Sequence, residues 1–300
     1  MKKLPYVCII SGAALWGLIG LFVRYLTAAG FDQMQLVTLR AYISAAALAI
    51  FLFVKDRSKL KIRLRDIWYF AGTGIASFVF FNYCYFTAIG ETSLSVAAIL
   101  LYTAPIFVML FSLFLFKEKM TRQKIIALAL AFLGCVLVSG VGGGQAITGS
   151  GFFFGIMSGF LYSLYSIFGR YALKRYDSIT VTAYSFIFAS IGVTPLADVG
   201  GIPRIVNGDF TIVAVILLFV LVTSILPYTL YTRGLKDVEP SKASIMACVE
   251  PVVATLVGVF AFGEALSPGN VAGILAVVGA LAVLNSPAGR RRATHSGKLR

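Results

Sequence analysis

Apolar residues along this chain fall into long continuous runs separated by short polar stretches. Ten such runs stand at about 5–26, 34–54, 67–88, 94–116, 125–140, 151–171, 179–197, 211–231, 243–262 and 270–285. A helix needs roughly 20 apolar residues to cross a bilayer, and the fifth and tenth runs are the shortest. The pattern predicts an all-α integral membrane protein with ten transmembrane helices. The weak alternation of roughly ten-residue barrel strands is absent from it.

Composition removes the soluble alternative. Apolar residues make up 59% of the 300-residue chain and charged residues 13%, about half the roughly 25% of soluble domains. Mean hydropathy is +0.91. A soluble shell has to be largely polar, and this chain has too little polar surface to build one.

The net charge of +14 sorts by location. Basic residues cluster at Lys2–Lys3, from Lys55 to Arg65, from Lys117 to Lys124, from Arg170 to Arg175, from Arg233 to Lys242, and from Arg290 to Arg300. With ten spans these segments all fall on one side. Of the 26 Lys and Arg, only Arg204 lies in the opposite loops, and Arg24 and Arg40 lie within spans. Basic short loops stay in the cytoplasm, so both termini are expected there, in a bacterial cytoplasmic membrane. The charge is a topology label, and no nucleic-acid partner is implied. The first run is long for a signal-peptide core and lacks a small-x-small cleavage site. Cys8, Cys84, Cys135 and Cys248 sit singly in spans without a Cys-x-x-Cys, and the one histidine, His295, is in the tail. No metal site or cofactor is expected.

One offset of 146 residues aligns the chain with itself. It pairs Arg24 and Tyr25 with Arg170 and Tyr171, Pro105 with Pro251, Phe116 with Phe262, and Glu118 with Glu264. Each unit has five spans, an odd number, so the second copy enters the membrane from the opposite side. The loops agree: Lys117-Glu118-Lys119 is basic, whereas its mate Gly263-Glu264-Ala265 has lost its positive charges. Inverted repeats of this kind are typical of secondary transporters, whose site lies near midplane between the halves. The expected division is a first five-helix repeat at 5–140, a Gly-rich linker at 141–150, an inverted repeat at 151–285 and a basic tail at 286–300.

These residues resemble the drug/metabolite transporter (DMT) superfamily, and within it the bacterial ten-helix EamA-type exporters. The resemblance rests on Leu15-Trp16-Gly17, Leu39-Arg40, Pro105 with Lys117-Glu118-Lys119, and Glu250-Pro251 with Phe262-Gly263-Glu264. It implies export of amino acids and related metabolites, aromatic amino acids in its YddG-like branch. Lys117 departs from the glycine commoner at its place.

Glu250 is the one acidic residue well inside a span. A carboxylate there costs about 3 kcal/mol or more, which makes it a functional candidate. It would contact a substrate amine or take up a proton; the alternative is a protonated or paired structural Glu. Pro251 beside it frees a backbone carbonyl, and Pro105 and Pro227 do the same in their helices, marking kinks or gates. Arg40 suits a substrate carboxylate or a structural role. Arg24 and Arg170 are expected to snorkel to the interfaces, with gating as the alternative. Polar aromatics and amides at mid-span depth, with their symmetry mates, define a candidate cavity: Trp16, Asn82, Tyr85, Tyr102, Tyr162, Tyr165, Ser166, Tyr228 and Tyr231. The alternative is hydrogen bonding between packed helices. Gly151, Gly155 and Gly159 form a Gly-x-x-x-Gly ridge for close helix packing. Helices 1, 3, 4, 6, 8 and 9 are expected to line the cavity, with 5 and 10 peripheral.

The function expected is a secondary active transporter that exports small amphipathic metabolites by alternating access, amino acids first among them. Its partners would be a small-molecule substrate, the lipid bilayer and protons as coupling ion. A lipid flippase and a carrier of sugar phosphates or nucleotide sugars are the alternatives; phosphorylated cargo calls for a Lys/Arg cluster that only Arg40 could begin. An ATP-binding Gly-x-x-x-x-Gly-Lys-Ser/Thr is absent, and the spans lack the clustered His, Asp and Cys of a membrane enzyme.

Overall fold

The computed structural model describes residues 3–140 and 147–286. Residues 141–146 of the expected linker and 287–300 of the expected tail lie outside the described residues. Among the described residues ten long helices run through the molecule: α1 Leu4–Ala28, α2 Gln33–Lys55, α3 67–91, α4 Leu94–Leu115, α5 Arg122–Ser139, α6 Gly149–Ala172, α7 Ser178–Leu196, α8 Phe210–Leu235, α9 Pro240–Phe262 and α10 Pro268–Asn285. Nine are long and apolar enough to cross a membrane. The remaining one, α3, is as long but diluted by Thr73, Asn82 and its glycines.

The helices outrun their apolar cores because caps set their ends. Asp32 accepts from the backbone of Gln35 at the start of α2, and Gln35 returns the bond. Ser93, Thr121, Thr148, Asp209 and Ser267 cap α4, α5, α6, α8 and α10 in the same way, each satisfying amide donors that the first turn leaves open. Pro240 in the first turn of α9 moves that start three residues ahead of the apolar run. Phe114, Phe210, Phe260 and Leu275 are among the most exposed apolar side chains, as lipid-facing residues are.

Packing follows the inverted repeat. Helix α1 lies along α8 and its mate α6 along α3, while α2 pairs with α7 and α5 with α10. The symmetry extends to local irregularities. Helix α4 breaks at Tyr102–Thr103 and α9 at Cys248, residues 102 and 248 being mates, each three before a proline. Wide π-helical turns occupy Gly72–Phe80 in α3 and Leu221–Ile225 in α8. Lys117 and Gly263 both take left-handed backbone, φ 53° and 68°. Behind them the amides of Glu118 and Glu264 reach back to the carbonyls of Ser112 and Gly258, each at 3.1 Å. That is one C-terminal cap built twice.

Candidate functional site

A cavity of about 550 Å³ opens between the halves. Its mouth is formed by Arg24 near the end of α1, Gln33 at the start of α2, Ile89 near the end of α3, Leu94 at the start of α4, and Phe262 and Glu264 beyond α9. All of these lie at one end of the bundle. Lys3 and Ser286, near the two ends of the described chain, lie at the opposite end. There they border a vestibule with Lys117, Lys119, Lys124, Arg170 and Lys242. We call that the basic end and the mouth the far end.

Trp16, Asn82, Tyr85, Tyr102, Tyr162, Tyr228, Glu250 and Arg40 all line the cavity. Trp16 meets Tyr228 edge-on at 5.0 Å and 70°, and Tyr162 at 6.3 Å and 69°. Phe81, which the sequence reading passed over, packs on Tyr162 at 5.1 Å. Such edge contacts hold rings in fixed orientations, so the walls are rigid and aromatic. The Glu250 carboxylate receives a long hydrogen bond, 3.4 Å, from the Tyr162 hydroxyl. Among the described residues it has no ion-pair partner.

The breaks place this carboxylate. Pro251 has no amide proton to return to Ala247, so α9 opens one turn before Glu250. Helix α1 is interrupted between Trp16 and Ile19, and Gly17 there lets it come against the opened segment: a Cβ on Gly17 would lie 2.7 Å from the Glu250 carbonyl oxygen. On the other half, Gly155 and Gly159 of the glycine ridge pack on α4, and Gly151 packs on Glu91 and Thr92 just ahead of it. A Cβ on Gly159 would lie 2.9 and 3.0 Å from the carbonyl oxygens of Leu100 and Leu101, beside the break that Pro105 makes.

Arg40 is buried and bonded to α8. Its Nε donates to Ser224 Oγ at 2.8 Å and its Nη2 to the carbonyl of Thr223 at 3.1 Å. Thr223 is four residues before Pro227, so the guanidinium satisfies the carbonyl that Pro227 strands. Asn82 does similar service in α3, its Nδ2 donating to Phe78 at 2.7 Å within reach of the other wide turn.

Three residues expected in the cavity stand elsewhere. Tyr165 shares a 2.7 Å hydrogen bond with Thr232, and Ser166 shares one of 2.8 Å with Tyr231. These bonds join α6 to α8 on the basic side of Glu250. Ser166 and Tyr231 border a void of only about 20 Å³ there, shared with Tyr102, Tyr162 and Glu250. The polar stripe of α6 therefore divides: Tyr162 faces the cavity, and its neighbours close the floor. Helix α2, not counted among the lining helices, contributes Gln33, Leu36, Val37 and Arg40.

Neither terminal arginine simply snorkels. Arg170 donates through Nη1 to the carbonyls of Leu235 and Lys236 at 2.7 and 2.5 Å. Arg24 lies over the Phe262 ring at 4.2 Å. The basic end also holds an ion cluster that loop charges alone did not reveal. Lys124, almost wholly buried, pairs with Glu118 at 2.9 Å and Glu239 at 3.1 Å. Lys242 joins Glu239 at 2.7 Å, and Ser241 bonds Glu118. Burial raises the Glu239 carboxyl, but Lys242 and Lys124 outweigh it and hold the group below its usual range. The α2–α3 loop is fastened by Asp66, which receives bonds from Tyr176 at 2.7 Å and Arg175 at 3.1 Å. Those donors hold its carboxyl low.

A model of the EamA-like transporter family matches the chain twice, over residues 3–140 and 149–286. The chain belongs to that family. An uncharacterized transporter of Archaeoglobus fulgidus is 30% identical over 262 residues, 86% of this chain and 88% of its own. The uncharacterized inner membrane transporter YicL of Salmonella typhimurium is 25% identical over 95% of this chain and 96% of its own. A solved crystal structure shares the fold, with a TM-score of 0.78 at 21% identity over 95% of this chain and 98% of that one. As an EamA-like protein of the DMT superfamily, the chain is a multi-pass membrane transporter. The ten helices are its two inverted five-helix repeats around a central cavity.

Proposed function

We propose that this transporter is a secondary carrier that exports small amphipathic metabolites, amino acids including aromatic ones, from the cytoplasm by alternating access. The observation that carries the reading is Glu250, an acidic group without an ion-pair partner among the described residues, on the wall of an aromatic cavity. A carboxylate in such a place suits a substrate ammonium or a coupled proton. The flat walls of Trp16, Tyr85, Tyr102, Tyr162 and Tyr228 suit an apolar or aromatic side chain. A volume of about 550 Å³ falls within the range of small-molecule sites. With the basic end in the cytoplasm, as its lysines and arginines favour, the cavity faces outward across the cytoplasmic membrane. Arg40 then acts first as the brace of α8, and a substrate carboxylate is its second task.

The test is flux into proteoliposomes from a panel of radiolabelled amino acids, sugars and nucleotide sugars, with and without a pH gradient. Accumulation of aromatic or aliphatic amino acids driven by the gradient is expected. No movement of any amino acid overturns the substrate assignment. A lipid substrate is the second reading, favoured by an apolar groove along the same α1–α9 seam, lined by Leu21, Val253, Val257 and Phe260. Translocation of a fluorescent phospholipid in the same vesicles, without amino-acid flux, would select it.

A further inference from the structure

The two arginines that mark the repeat are in unlike surroundings. At the basic end Arg170 bonds the carbonyls of Leu235 and Lys236. These belong to the last turn of α8, where carbonyls have no helical donor and the helix dipole is negative. The bonds tie the end of α6 to the end of α8, and this end of the cavity is shut. Arg24 is the mate of Arg170, and the mates of Leu235 and Lys236 are Ile89 and Gly90, in the last turn of α3. At the far end these bonds are not made. The Arg24 guanidinium forms no hydrogen bond or ion pair among the described residues and rests on the Phe262 ring. Arg24 and Ile89 both border the mouth. Gly90 is exposed, and a Cβ added to it would meet nothing within 4 Å.

From this broken symmetry we infer that Arg24 is the latch of the far mouth. When that mouth closes, its guanidinium leaves Phe262 and donates to the carbonyls of Ile89 and Gly90, while Arg170 lets go of Leu235 and Lys236. The inference rests on the alternating-access reading, because an inverted repeat exchanges the conformations of its halves. It adds the contact that holds one of the two states. Arg24 is thus a positioning residue that acts on the helix ends and leaves the substrate to the cavity wall.

The test uses distances between spin labels on the full chain in nanodiscs. One pair, Ala28→Cys with Thr87→Cys, reports the α1–α3 opening. The mate pair, Lys174→Cys with Arg233→Cys, reports α6–α8. The four native cysteines are buried. Arg170→Gln is expected to lengthen the α6–α8 distance and shorten α1–α3, raising the ratio of far-closed to far-open molecules roughly tenfold, the weight of one charge-assisted hydrogen bond. Adding Arg24→Gln is expected to reverse that shift. If Arg170→Gln does not fold, Arg170→Lys serves with a smaller shift. An unchanged ratio after Arg24→Gln, with the label pairs still exchanging, overturns the latch and leaves the transport reading intact. A single fixed distance at both pairs, in the wild type and in Arg170→Gln alike, overturns both.

Discussion

Lys117 and Gly263 occupy the same turn in opposite halves of the molecule, both with left-handed backbone, and only Gly263 does so without a Cβ penalty. The turn is kept at Lys117 because the cap behind it is kept: the amide of Glu118 closes on Ser112 as that of Glu264 closes on Gly258. Replacing Lys117 with Gly should remove a penalty of about 1 kcal/mol and raise the melting temperature in detergent by about 2–4 °C. Gly263→Ala should lower it. A fall on Lys117→Gly would mean that its charge outweighs its backbone strain.

Arg40 braces the segment that Pro227 interrupts. Arg40→Met fills the space but leaves the Thr223 carbonyl and Ser224 hydroxyl without their donor, which costs about 1–3 kcal/mol. Thermal unfolding of the purified protein should show that loss. Equal stability in Arg40→Met would free Arg40 for a role in binding alone.

Glu250→Gln keeps the shape of the side chain and removes its charge. Gradient-driven flux of an amino acid is expected to fall at least about tenfold, the effect of one lost charge-assisted contact of about 1.4 kcal/mol, and the pH dependence of what remains should flatten. Wild-type flux with an unchanged pH profile would leave Glu250 a structural acid.

The ion cluster at the basic end carries a pH signature. Lys242 and Lys124 hold the Glu239 carboxyl below its ordinary 4.5. Its contribution is therefore complete above that pH and is lost as pH falls through the lower folded value. Melting temperatures measured from pH 7 to pH 3 should drop less steeply in Glu239→Gln than in the wild type. Parallel curves would show that other carboxylates govern the acid transition.

Much of this was legible in the chain. Ten apolar runs, the shared offset and the paired prolines foretell the helices and their breaks at Tyr102 and Cys248, because proline chemistry acts within one turn. Trp16, Asn82, Tyr85, Tyr102, Tyr162, Tyr228 and Glu250 share one cavity because helical spacing and symmetry constrain them together. Tyr165, Ser166 and Tyr231 satisfy the same pattern yet close its floor, since their partners come from another helix and no periodicity within α6 or α8 names them. The wide turns in α3 and α8 escaped notice for a related reason. Their cues are Asn82 four residues after Phe78 and Pro227 four after Thr223, and each becomes meaningful only when the stranded carbonyl is seen. Lys124 reads as one more loop charge until Glu118 and Glu239 are found beside it.

That lysine serves at two moments in the life of the chain. During insertion it belongs to a loop whose positive charge resists crossing the bilayer. After folding it is withdrawn from solvent between two carboxylates, where the far half offers only Asn270 in its place. One lysine thus counts twice, as a loop charge in the sequence and as a buried packing group in the fold.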